Sequence, residues 1–218
     1  YCTVSPDVNS LMQFLKCFAI IGLTALLVGS CNQYSAPKKL VSESDLHKWN
    51  IILEEAIVND FFSPPVAARI YAYANIAAYE VLSQTDSSYK QFSSFYADLS
   101  LPDQRNESVN EELAAIFAFY HTGRRLVYST NILKSQMDTF RLKLQEMNAE
   151  EELVIHSEAY GKRIADSIIV WSAKDLYNES RSFPKYKLVG KEDGWTPTPP
   201  DYADALEPHW SKIRPFTL

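Results

Sequence analysis

Cysteine is scarce: the 218 residues hold three, at Cys2, Cys17 and Cys31. A chain cut before Cys31 keeps one of them, so it has no disulfide framework and no thiolate metal cage. If that one is capped, a cysteine nucleophile is excluded as well. Self-sufficient catalytic motifs are missing too. The sequence holds no His-Glu-x-x-His, no Gly-x-Ser-x-Gly, no phosphate loop and no dinucleotide fingerprint. Positive charge is short: the formal net charge is −6, which leaves no footprint for nucleic acid or anionic lipid. No nucleic-acid partner is expected. What is abundant is aromatic surface, 13% of residues with 13 tyrosines, which favours a packed globular core.

The first residue is not Met, and residues 1–11 have no targeting character, so they read as a non-native upstream stretch. From Met12 the pattern changes. Lys16 is a short basic region, and Phe18 to Val28 is an apolar run of about 11 residues, too short to span a bilayer and right for a secretory signal. Val28-Gly29-Ser30-Cys31 resembles the lipobox of bacterial lipoproteins, where cleavage leaves the cysteine as a lipidated N-terminus. The resemblance implies a signal peptide over 12–30, lipidation of Cys31, a membrane partner through that anchor, and a place in the bacterial cell envelope, periplasmic or surface-exposed. The alternative is an ordinary signal peptide with a chance cysteine.

The mature part is long enough for one domain with a real core. A polar tether covers 31–41, and the domain covers 42–218. Ser42 or Ser44 can cap a first helix to about Asn59, with Leu46, Trp49, Leu53, Ala56 and Ile57 on its inner face. A corner at Phe61-Phe62-Ser63-Pro64-Pro65 then starts the stretch read as the central helix, to Leu82. Ser63 is a good N-cap, and prolines suit the first turn. That helix is apolar all round, as a buried bundle helix is. Its alanines, Ala67, Ala68, Ala72, Ala74, Ala77 and Ala78, let neighbours come close. Residues 83–108 are a turn-rich surface crossing pinned by Tyr89, Phe92, Phe95 and Tyr96. A third helix resumes near Val109 with Leu113, Ile116, Phe117, Tyr120 and Arg124 on its inner face. A fourth starts at Thr130 or Asn131. A long fifth runs from Ala149 to about Leu176 on a stripe of Leu153, His156, Tyr160, Ile164, Ile168 and Trp171. After Tyr177 comes a strap rich in proline and tryptophan, not a Gly/Ser linker. The expected fold is all-α: five helices and an irregular C-terminal strap.

Few residues carry chemistry. The four histidines, His47, His121, His156 and His209, have no metal-ligand spacing. His156 is expected as a hydrogen-bonded core histidine, and His121, near Arg124 and Arg125, as part of a solvated basic helix end. Asp60, Arg69 and Glu80 stand out on or beside an apolar helix, where charges must be paired or reach water. They read as structural charges setting helix register, with Arg69 paired to Asp60 or to an acid on a neighbouring helix; the alternative is a substrate-facing role.

Two segments together resemble a known family. One is Trp49 to Glu80, with DFFSPPVAARIYAYANIAAYE at its heart. The other is the strap GWTPTPPDYADALEPHWSKIRPF, with Trp195, Pro197, Pro199, Pro200, Pro208, His209, Trp210, Arg214, Pro215 and Phe216. The pairing looks like the N-terminal region of vanadium-dependent haloperoxidase-like proteins, in the type 2 phosphatidic acid phosphatase superfamily. The resemblance implies an all-α fold. It implies vanadate (or phosphate) for the full-length protein, with peroxide-dependent halide oxidation or phosphomonoester hydrolysis as the chemistry. The family's oxyanion site uses Lys-x6-Arg-Pro, Pro-Ser-Gly-His and Ser-Arg-x5-His, and none is present. Lys212 and Arg214-Pro215 are one residue apart instead of six. No catalytic or cofactor residue is therefore assigned in this chain. The expectation is an N-terminal scaffold part, inactive alone, with a catalytic portion in the same or a separate chain. The rival is a complete helical lipoprotein that binds a ligand or partner without chemistry.

Overall fold

The computed structural model describes residues 39–103, 108–188, 190 and 194–216. Everything N-terminal to Lys39 lies outside the described residues, including the signal-like run and Cys31. Residues from Leu40 onward form one compact unit. Five long helices build it: α1 (Glu43–Asn59), α2 (Pro64–Ser83), α3 (Glu111–Gly123), α4 (Thr130–Glu146) and α5 (Glu151–Ser172). A one-turn helix α6 (Tyr177–Ser180) and two 3-10 turns, Phe92–Phe95 and Trp210–Lys212, complete the elements. No strand occurs among the described residues, and no described helix is long and apolar enough to cross a membrane.

The helix starts follow local chemistry. Ser42 caps α1, and Asp45 reaches back to accept from the Ser42 backbone N–H and hydroxyl, both at 2.8 Å. Burial pushes the Asp45 carboxyl up, but the bonds from Ser42, aided by Lys143, outweigh it and hold it below its ordinary value. Asn110 caps α3 by accepting from Leu113 N–H at 2.8 Å. α2 begins at Pro64-Pro65, which need no N–H partners there. Leu40 and Val41, at the end of the stretch read as tether, are buried against the bundle.

The centre of the bundle is α3, not α2. Every residue from Leu113 to Gly123 is buried, while α2 leaves Ala68 and Tyr79 exposed. The expected one-sided α3 ending in Arg124 is therefore corrected: Arg124 is exposed, and its guanidinium lies 5.6 Å from the Tyr120 ring centre. α3 is enclosed because α2 and α5 pack on it from two sides and α1 from another. α3 and α5 approach closely at Gly161 of α5. A Cβ built there would lie 2.4 Å from the Ala114 carbonyl oxygen and 2.9 Å from both Ala118 N and Phe117 Cβ. Only a residue without a side chain lets these two helices meet at this depth. An aromatic layer closes the other side of α5. Trp171 meets Tyr73 at 5.6 Å, Phe92 at 5.8 Å and Tyr96 at 5.0 Å between ring centres. These contacts pin the 83–108 crossing to the bundle, whereas Tyr89 and Phe95 stay exposed.

Candidate functional site

The densest polar cluster sits where α5 ends and the strap returns. α5 stops at Ser172, and Leu176 takes a left-handed conformation (φ 71°) that turns the chain into α6. This turn buries Asp175, which is 1% exposed. Arg69 Nε of α2 donates to Asp175 Oδ2 at 2.6 Å, and Arg69 Nη2 donates to the Ser172 carbonyl at 3.1 Å. Tyr73 Oη donates to the same carboxylate oxygen at 2.8 Å, and Tyr177 N–H donates to the other at 2.9 Å. The Arg69 guanidinium also lies 4.4 Å from the Tyr177 ring centre. Oδ2 thus accepts two hydrogen bonds and Oδ1 one, so both oxygens of the buried carboxylate are partnered. Burial, reinforced by the adjacent Asp175 charge, pushes the Tyr73 hydroxyl far above its ordinary range, so it keeps the proton that it donates to Asp175.

The strap closes the cluster through Arg214. Its backbone N–H donates to the Asp175 carbonyl at 3.0 Å. Its Nη2 donates to Tyr73 Oη at 3.1 Å and to the Trp171 carbonyl at 3.0 Å. The guanidinium stacks 3.6 Å from the Trp171 ring centre, and Phe216 packs on Tyr73 at 5.0 Å. Tyr96 Oη donates to the Pro215 carbonyl at 3.2 Å. Of the other strap residues, Trp195, Pro199, Pro200 and Pro208 are exposed, while Pro197, His209 and Trp210 are half-buried. His209 Nε2 meets the Pro184 carbonyl at 2.7 Å.

Asp60, Arg69 and Glu80 do not meet one another. Arg69 takes Asp175 as its partner. Asp60 accepts from the N–H of Tyr128 at 2.7 Å and from the N–H and hydroxyl of Ser129, so it fastens the α1–α2 corner to the start of α4. Glu80 is fully buried and accepts from Ser93 N–H at 2.6 Å and Ser93 Oγ at 3.1 Å. Burial raises the Glu80 carboxyl above its ordinary value, and the Ser93 bonds only partly offset this.

Two histidine expectations are corrected. His121 is buried, not solvated: its Nε2 lies 3.2 Å from Glu158 Oε1, which also accepts from Arg141 at 2.6 Å. The His121 bond, with Arg141, holds the Glu158 carboxyl below its ordinary value. His156 is half-buried, and its Nδ1 has no hydrogen-bond partner among the described residues. Among the described residues no group of three or more His, Cys, Asp or Glu side chains is placed to hold a metal ion. The Asp175 hub was invisible in sequence, since its partners lie 102 and 106 residues away.

No family model and no curated protein matches the chain. Among solved structures it is similar to a bacterial vanadium-dependent iodoperoxidase. The TM-score is 0.74 and the identity 37%, over 84% of this chain and 44% of that one. The chain thus spans less than half the length of the protein it matches. It has a vanadium haloperoxidase-like, all-α fold.

Proposed function

From this shared fold we infer that the chain is the N-terminal scaffold of an envelope lipoprotein of the vanadium-dependent haloperoxidase or acid phosphatase class. The observation that carries the reading is the 37% identity to the iodoperoxidase across 84% of the chain. The name of that neighbour favours the peroxidase branch.

The residues present do not fit vanadate. An oxyanion of that kind needs several cations and donors aimed at one point. Arg69 is committed to Asp175 and the Ser172 carbonyl. Arg214 places Nη2 on Tyr73 and the Trp171 carbonyl, Nη1 on Asp98 and its face on the Trp171 ring. Its buried Nε has no hydrogen-bond partner among the described residues, but no second free cation stands beside it in the Asp175 cluster. Lys212 is exposed on the strap. With the Lys-x6-Arg-Pro, Pro-Ser-Gly-His and Ser-Arg-x5-His motifs absent as well, the family's vanadate site is assigned to residues outside this chain. The work of this chain is architectural: the Arg69–Asp175–Tyr73–Arg214 cluster ties α2, the end of α5 and the strap into one rigid wall. The lipobox-like Val28–Cys31 stretch supports the membrane anchor.

The coding sequence beyond Leu218 is the direct test. An in-frame continuation into Lys-x6-Arg-Pro and Ser-Gly-His motifs supports the reading. A stop codon at that point, with no partner gene carrying those motifs, counts against it.

A further inference from the structure

The strap folds back on the N-terminus of α2 through a single acid. Glu207 lies in a left-handed backbone conformation (φ 47°), as does Tyr202 (φ 46°). A residue with a side chain seldom adopts this conformation, and it persists where the surroundings hold it. At Glu207 the carboxylate is held on both oxygens. Arg181 grips it with both terminal nitrogens, Nη1 to Oε1 at 2.9 Å and Nη2 to Oε2. Ser63 Oγ donates to Oε1 at 3.2 Å. Ser63 is the N-cap of α2, yet its hydroxyl makes no capping bond to the helix. It serves the strap's carboxylate instead, at the positive end of the helix dipole. Arg181 is steadied from behind by the Tyr177 ring, 4.6 Å away, and by Ser180 Oγ at 3.2 Å. Its bond to Glu207 is the largest cause of the lowered Glu207 carboxyl pKa. Beside this grip lies a recess of about 450 Å³ whose charged and ring-bearing lining includes Lys185, Tyr186, His209 and the acid Asp204 as well as Arg181 and Glu207.

A guanidinium fork, a serine hydroxyl and a helix N-terminus around one carboxylate are the parts of an oxyanion-binding site. We propose that Glu207 is a built-in stand-in ligand. It occupies an oxyanion site formed by Arg181 and Ser63, and so holds the 202–209 turn shut over it. An external oxyanion and Glu207 then compete for Arg181. With the carboxylate displaced, the turn relaxes from its left-handed conformation, while Arg214 and Phe216 keep the end of the strap on the bundle. This site shares the Tyr177 ring with the Asp175 cluster but none of its charged groups, and it stands or falls independently of the scaffold reading.

Inorganic phosphate is the probe, with protein spanning 31–218 and its Glu207→Gln variant. Gln keeps the size of the side chain but loses the charge that Arg181 grips. Hydrogen exchange should show the amide of Trp210, which donates to the Glu207 carbonyl, losing about tenfold of its protection in the variant. Amides of α3 and α5 should keep theirs. Phosphate should bind the variant about tenfold more tightly than the parent, because its internal competitor is gone. A second substitution, Arg181→Met in the Glu207→Gln background, should abolish that binding. Unchanged turn protection in Glu207→Gln overturns the proposal. So does a phosphate affinity no better than the parent's, or one that survives loss of Arg181.

Discussion

Replacing Gly161 by Ala should destabilise the protein, against the intrinsic preference of a helix. In an unobstructed helix interior that change gains about 1 kcal/mol. Here the new Cβ falls 2.4 Å from the Ala114 carbonyl oxygen and 2.9 Å from Ala118 N, both backbone atoms of α3. Ordinary contact requires α3 and α5 to separate by roughly 1 Å, and backbone cannot rotate aside as a side chain can. α3 is buried from Leu113 to Gly123, so the shift propagates to α1 and α2. Overpacking of this kind costs about 1–3 kcal/mol, with rigid backbone at the upper end. The net loss should be about 2 kcal/mol, or roughly 4–8 °C in melting temperature for a domain of this size. Gly123→Ala is the internal control. Its Cβ meets only Leu53 Cδ1 at 3.2 Å and leucine methyls at longer range, which can yield. That variant should stay within about 0.5 kcal/mol of the parent. Thermal and urea unfolding followed by far-UV circular dichroism would measure both. A Gly161→Ala protein as stable as the parent would refute the close-approach argument, as would Gly123→Ala being the worse of the two.

Three other outcomes are expected, two from the geometry and one from the lipobox-like sequence. Asp175→Asn leaves Arg69 buried without its counter-charge and should cost about 3 kcal/mol or more in urea unfolding; a loss below about 1 kcal/mol would show that the hub is not what fastens α2 to the end of α5. The raised Glu80 carboxyl favours the folded state most when protonated, so its contribution is fully present below the ordinary glutamate pKa and fades as pH rises through the raised value. Glu80→Gln should therefore stabilise the protein at pH 7, and the advantage should vanish as pH falls below the ordinary glutamate value in a pH series of denaturation curves. Cys31→Ala should abolish incorporation of labelled fatty acid in cells; undiminished labelling would remove the lipid anchor from the proposal.

Local signals placed the helices well, because caps and apolar spacing act over a few residues. Ser63-Pro64-Pro65 marked the start of α2, and the Tyr160, Ile164, Ile168, Trp171 stripe marked the inner face of α5. Which helix lies at the centre was not read correctly. The signature used for α2, apolar residues on every face, is just as strong over Leu113–Gly123, where no Asp, Glu, Lys or Arg occurs. Close packing was sought in the alanines of α2, whereas the close approach of α3 and α5 depends on Gly161, whose need is set by the backbone of another helix. The polar sites were legible only by half. Sequence shows that Arg69 and Glu80 need partners on an apolar helix. It does not show that those partners are Asp175 and Ser93, since the fold alone brings them together. Likewise, nothing near His121 announces Glu158, which lies 37 residues on. The strap motif stood out by composition, and Arg214 within it proves to be the residue that stacks on Trp171.

The central claim is that this chain is scaffold and that the oxyanion chemistry belongs to residues beyond it. Vanadate-dependent oxidation of iodide by hydrogen peroxide, assayed with purified protein spanning 31–218, tests it most directly. Folded protein should give no oxidation above that of vanadate and peroxide alone. Turnover that requires the protein, saturates with vanadate and survives purification to homogeneity would contradict the claim.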